Sequence, residues 1–236
     1  MTPLLLVPGL LCDARMWGPI PQALAPRPIV HAPPTEGETI PAMAAAILRA
    51  APDRFALAGL SMGGIVALEM LAQAPARIER VALMDTTPLA EAPAGRVRRD
   101  AQIARALGGD LAGVVREELA PLYLAPGAEA TPEGRAILAL CLDMALGLGP
   151  QAFARQARAL RDRQERQAAL AAFPGFTLVL TGAHDRLCPR DRHALMAALA
   201  PRSRLAVIAA AGHLPTLERP EETAEALRAW LEADPT

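Results

Sequence analysis

The sequence predicts an α/β fold: a mostly parallel, six-stranded sheet with helices on both faces and an all-helical cap inserted late in the chain. Three observations predict it. Short apolar runs alternate with helical patterns over residues 3–87 and again after residue 173, and parallel strands need such crossovers. Between Pro88 and Ala172 there is no strand pattern, only helical runs separated by Gly and Pro. Hydrophobic content of 52% with 21% charged residues suits one globular unit with a substantial core. The expected organisation is therefore a core of residues 1–87 and 173–236 carrying a helical cap at 88–172.

Taken in order, residues 3–7 form an apolar run that reads as a buried strand, cut by Pro8-Gly9. Residues 14–24 follow as a helix containing Trp17. Ile29-Val30-His31 is a short strand between Pro28 and Pro33-Pro34, and prolines on both flanks mark an exposed sheet edge. Residues 40–51 are an Ala-rich helix and 55–58 a third strand. Ile65, Leu68, Glu69 and Ala72 recur at helical spacing until Pro75 stops the pattern. A fourth strand spans 81–84. Cap helices are expected at 97–107, 111–122, 134–148 and 151–171. The sheet resumes at 176–180 and 205–208, with helices at 190–199 and 221–231.

Between the third strand and its helix lies Ala58-Gly59-Leu60-Ser61-Met62-Gly63-Gly64. A serine pinched there takes a strained backbone, and Gly59 and Gly63 leave out the Cβ where other backbones crowd the turn. Gly-x-Ser-x-Gly in that setting is a nucleophile elbow. It lifts the Ser61 hydroxyl out of the sheet and aims the first amides of the helix at the same spot, where they favour negative charge.

A serine hydroxyl is a weak nucleophile unless an imidazole takes its proton, and that imidazole needs a carboxylate to hold its tautomer. Asp185 follows the fifth strand and His213 the sixth, so both fall at the same carboxyl edge as Ser61. His31, His184 and His193 compete for the base role; they read as surface or hydrogen-bonding histidines. No metal is expected, because His184, Asp185 and His193 lack the paired spacing of a zinc helix.

Other classes are disfavoured by composition. A net charge of -1 offers no electrostatic footprint for nucleic acid. Cys12, Cys141 and Cys188 are odd in number and far apart, which suits a reduced, cytoplasmic setting. The apolar start lacks a basic leader and is cut by proline, so neither a signal peptide nor a membrane partner is expected. The chain contains no lysine and no asparagine, which removes Ser-Lys and Schiff-base chemistry.

Three segments together resemble the α/β-hydrolase family over nearly the full length: Gly59 to Gly64, the run Gly182-Ala183-His184-Asp185-Arg186-Leu187-Cys188-Pro189, and Ala211-Gly212-His213 followed by Glu218-Arg219-Pro220. The likeness is to small capped esterases and enol-lactonases. It implies a serine hydrolase that cleaves a small carboxylic ester, thioester or lactone through an acyl-enzyme, with no cofactor. In that reading Ser61 attacks, His213 moves the proton, Asp185 orients His213, and the backbone N–H groups of Leu10 and Met62 form the oxyanion hole, Leu11 being the next candidate. An acyltransferase with the same triad and a ligand-binding receptor with vestigial hydrolase activity are the alternatives. Leu11, Trp17, Tyr123, Met144 and Leu148 are the expected substrate pocket, with Leu122 and Leu124 beside them. Arg155, Arg158, Arg161, Arg163 and Arg166 are expected on one cap helix, mostly as a solvated face, with one of them meeting a substrate carboxylate as the alternative. Two departures stand out: Pro8-Gly9 replaces the usual His-Gly, and the first strand reads as the third of the full fold, so no leading antiparallel hairpin is expected and the sheet is expected to be all-parallel.

Overall fold

In a computed structural model of the chain, which describes residues 1–233, six parallel strands carry the fold. They are β1 (Leu4–Val7), β2 (Ile29–His31), β3 (Phe55–Leu60), β4 (Ile78–Met84), β5 (Phe176–Gly182) and β6 (Ser203–Ile208), paired in the order β2-β1-β3-β4-β5-β6. The proline-flanked Ile29–His31 strand lies at one edge, as its flanks require. Longer helices are α1 (Ile40–Ala50), α2 (Met62–Gln73), α3 (Pro93–Arg105), α4 (Pro132–Arg161), α5 (Arg190–Leu199) and α6 (Pro220–Glu232).

Central strands are buried on both faces, so their side chains alternate between two apolar layers rather than between core and water. Leu5, Val7, Leu57, Leu83 and Val179 pack with Ile47, Val66, Met70 and Met196 from α1, α2 and α5. Leu4, Leu6, Ala58, Met84 and Leu180 pack on the other side with Trp17, Ile20, Leu227 and Trp230. Each fully buried Leu contributes about 1.5–3 kcal/mol, and a one-residue slip would exchange the two sets, so register is strongly specified. A third apolar cluster belongs to the helices between β4 and β5, with Ile103, Val114, Phe153 and Ala157, and it takes in Leu11 from the loop after β1.

Several helices differ from their sequence reading. Residues 14–24 form two short pieces, Ala14–Trp17 and Ile20–Ala23, because Gly18 adopts φ 51 and Pro19 follows it. Between β4 and β5 the chain after α3 widens into π-type turns at Ala106–Asp110 and Val114–Leu119, with Gly109 at φ 102. The expected pair 134–148 and 151–171 is instead one long helix, α4, kinked at Gly149-Pro150, then a break and a short helix, Gln167–Ala171. Residues 163–166 leave the helix because Arg163 turns inward and the Arg166 amide donates to Pro88 O. Helix α4 is long and apolar enough to meet the length and composition of a membrane span, and its most apolar stretch is 28% buried, with Met144 inside the fold and Leu146 exposed.

Candidate active site

Because every strand is parallel, the loops leaving their carboxyl ends share one rim, and the candidate residues collect there. Ser61 caps α2 at φ 56, ψ -118, a conformation strained for any residue with a Cβ. Its neighbours explain why the turn holds. A Cβ on Gly63 would fall 1.9 Å from Val7 O and one on Gly59 would fall 2.3 Å from Gly63 O, so only glycine lets α2 start this close to β1. The Thr86 hydroxyl donates to Ser61 O (2.7 Å), pinning the turn to the loop after β4.

The Ser61 hydroxyl lies 2.8 Å from Nε2 of His213, whose Nδ1 lies 2.9 and 3.0 Å from the two carboxylate oxygens of Asp185. With the Nδ1 proton directed at Asp185, Nε2 keeps a lone pair for the serine hydroxyl. Asp185 Oδ1 also accepts the amides of Leu187 and Cys188. Burial raises the Asp185 pKa, but His213 and those amides outweigh it and hold the carboxyl below its ordinary value. The His213 loop is fixed from above and below: its amide donates to Tyr123 O (2.7 Å), and Glu218 accepts the amides of Gly212 and Ala125.

Beneath this chain sits a layer that sequence reasoning passed over. Asp85 is fully buried at φ 44; its Oδ1 accepts the Gly182 amide (2.9 Å), and Oδ2 has no hydrogen-bond partner. Burial, then the nearby Asp185 charge, pushes the Asp85 carboxyl well above its usual range. His193 accepts the Thr86 amide at Nε2, its Nδ1 faces Pro189 O, and burial lowers its pKa to about 4. Asp85, Asp185 and His193 bring ligand-type atoms within 4.8 Å of one another, as do Asp185, Cys188 and His213. Asp185, His213 and His193 already spend their lone pairs on the bonds just named.

On the loop after β1, the Leu11 amide donates to Gln156 Oε1 (2.9 Å), while Gln156 Nε2 donates to Pro34 O and the Gly9 amide meets Met16 Sδ. Leu11 is thereby removed as a free donor. Gln156, 1% exposed and 145 positions away, braces the loop where the usual histidine is Pro8. The amide of Leu10 has no acceptor among the described residues, and that of Met62 stands in the first turn of α2, where helices leave amides unpaired.

A family model described as alpha/beta hydrolase family matches residues 4–226. The chain belongs to the α/β-hydrolase family. Solved structures agree. An esterase from Thermogutta terrifontis superposes with TM-score 0.88 at 27% identity, over 98% of this chain and 89% of that one. The enol-lactonase from Burkholderia xenovorans LB400 gives TM-score 0.87 at 20% identity over 99% and 92%, and a bromoperoxidase from Bacillus anthracis gives 0.83 at 20% over 98% and 92%. At 20% these last two speak to the fold alone. The chain is a hydrolase.

In this hydrolase a cavity of about 320 Å³ opens over Ser61 and His213. Leu10, Met62 and Tyr123 line it, with Cys12, Met16 and Cys141 beside them. Leu11, Trp17, Met144, Leu148, Leu122 and Leu124 do not line it. Trp17 and Met144 are wholly buried in the second apolar cluster, Leu11 and Leu148 pack into the insertion's own cluster, Leu122 is only partly buried outside the wall, and Leu124 is buried behind it. Apolar residues at helical spacing went to core, not to substrate. Arg163, expected on a solvated face, is 6% exposed and forms part of the wall, donating to Glu91 and to Leu89 O. No sequence pattern signalled Gln156, since it acts through chain segments far away in sequence, and the arginine run did not single out Arg163 from its neighbours.

Proposed function

We propose that this α/β-hydrolase cleaves a small carboxylic ester, thioester or lactone through an acyl-enzyme on Ser61. The observation that carries the proposal is the 2.8 Å contact between Ser61 Oγ and His213 Nε2 at a strained turn beside the cavity. As Ser61 attacks the carbonyl carbon, its proton passes to His213 Nε2, and the imidazolium is stabilised by Asp185 through Nδ1–H. The amides of Leu10 and Met62 supply the oxyanion hole, needing no side chain. His213 then gives its proton to the leaving group, and water repeats the sequence to release the acid. Residues 88–172 serve as the cap over a core of 1–87 and 173–236, and Tyr123 brings the cap against His213, its ring stacked at 6.5 Å.

The three thiols lining the cavity do not compete as nucleophiles: burial pushes Cys141 up to about 12 and Cys12 and Cys188 well above their usual value. The test is hydrolysis of 4-nitrophenyl esters of graded acyl length by wild type and Ser61→Ala. A loss of at least ~10³-fold in kcat is expected. Wild-type rates in purified Ser61→Ala would overturn the assignment.

A further inference from the structure

The chain as a whole carries a net charge of -1, yet the cavity over Ser61 is lined by four guanidiniums, Arg98, Arg99, Arg163 and Arg192, against one carboxylate, Glu91. That carboxylate is already shared. Glu91 Oε2 accepts Arg99 Nε at 2.6 Å and Arg163 Nη1 at 2.8 Å, all three side chains being largely removed from water. Two buried cations on one anion leave the inner wall positive. Arg98, at the exposed rim, has no hydrogen bond or ion pair among the described residues, and Arg192 reaches only the Thr87 hydroxyl (3.2 Å). Among the described residues neither has a carboxylate of its own.

The excess positive charge of the largely buried Arg99–Glu91–Arg163 group is poorly screened by water, so an anion that reaches this wall is favoured. Arginine forks suit a carboxylate, and Glu91 shows that partner in place for two of the four. Since the same cavity holds the Ser61 hydroxyl and the His213 ring, an anion on this wall places the rest of its molecule beside the nucleophile. We infer that the hydrolase selects esters whose acyl group ends in an ionised carboxylate, with Arg98 and Arg192 as the specificity-determining side chains. This rests on the hydrolase reading of Ser61 and narrows its substrate class.

The experiment compares mono-4-nitrophenyl adipate with 4-nitrophenyl hexanoate, which share chain length and leaving group and differ in the terminal charge. Wild type is expected to favour the adipate ester by at least about tenfold in kcat/KM, because hydrogen bonds to charged groups are worth that much when desolvated. The preference should shrink with added salt. Arg98→Gln with Arg192→Gln should bring the ratio of the two kcat/KM values towards one, whereas Arg158→Gln, on the exposed face of α4, should leave it as in wild type. A second measurement separates this inference from the hydrolase reading: calorimetric titration of free adipate into Ser61→Ala, which cannot turn over. Binding there, weakened at least about fivefold by the double arginine variant, supports the anion site even if no ester is hydrolysed. A wild-type ratio at or below one, a ratio that survives the double variant, or no adipate binding to Ser61→Ala each overturns it.

Discussion

His193 ties stability to acid in a way that can be worked out from its surroundings. Its ring is wholly buried, receives the Thr86 amide at Nε2, and has a pKa lowered by burial to about 4 from an ordinary 6.5. Asp185, Pro189 O and Asp191 oppose that shift, and His213 adds to it. The folded ring therefore stays neutral where the unfolded ring takes a proton, so the unfolded state binds more protons and stability falls as pH falls. The loss begins near the unfolded value and is complete below the folded one. For those two values it amounts to about 2 kcal/mol by pH 5 and about 3 kcal/mol by pH 4. His193→Gln keeps an acceptor for the Thr86 amide and cannot titrate. Urea unfolding of both proteins from pH 8 to pH 4 is the assay, read as the difference in slope, since other carboxylates titrate equally in both. Parallel stability curves over that window would refute the reasoning.

Three further outcomes follow from the same layer of contacts. Gly63→Ala puts a Cβ against Val7 O and should destabilise by at least ~3 kcal/mol, whereas Gly147→Ala, with open space around it and a helical setting, should stabilise by about 0.5–1 kcal/mol; thermal melts of the two decide it. Asp85→Asn removes a carboxyl whose pKa is raised on folding. In wild type that group's stabilisation is present below the unfolded pKa and is lost as pH rises through the folded one. The variant should therefore gain stability over wild type progressively from acid towards alkaline pH, and a constant difference would contradict a protonated Asp85. Disruption of the Gln156 brace in Gln156→Ala should slow ester hydrolysis through the freed Leu11 amide while leaving Ser61 reactive to a fluorophosphonate; a wild-type rate would show that the loop does not need it.

Much of the fold was legible because it depends on local pattern. Unbroken apolar runs such as Leu4 to Val7 cannot sit anywhere but in a sheet covered on both faces, and the prolines around Ile29 to His31 forbid a central position. Gly59, Ser61 and Gly63 announced a turn that only close backbone approach explains. What the sequence did not disclose depends on contacts between distant segments. Trp17 and Met144 have the composition of pocket residues and the location of core. Arg163 looks like part of a solvated arginine face, yet the chain leaves its helix so that the guanidinium can reach Leu89 O and Glu91. Asp85 reads as the end of a strand, and only the register of β4 beside β5 brings it under Asp185.

The central claim is that Ser61 becomes acylated, and the chain's composition makes this simple to check because it has only two serines, Ser61 and Ser203. Ser203, at the amino end of β6 and so away from the rim that holds Ser61, donates its hydroxyl to Ala197 O. Rapid acid quench during turnover of a 4-nitrophenyl ester, followed by tryptic digestion and mass spectrometry, should find the acyl mass on the peptide from Phe55 to Arg77 and nowhere else. Acyl groups on Cys12 or Cys141, or turnover with no acyl adduct on that peptide under conditions where product forms in a burst, would contradict it.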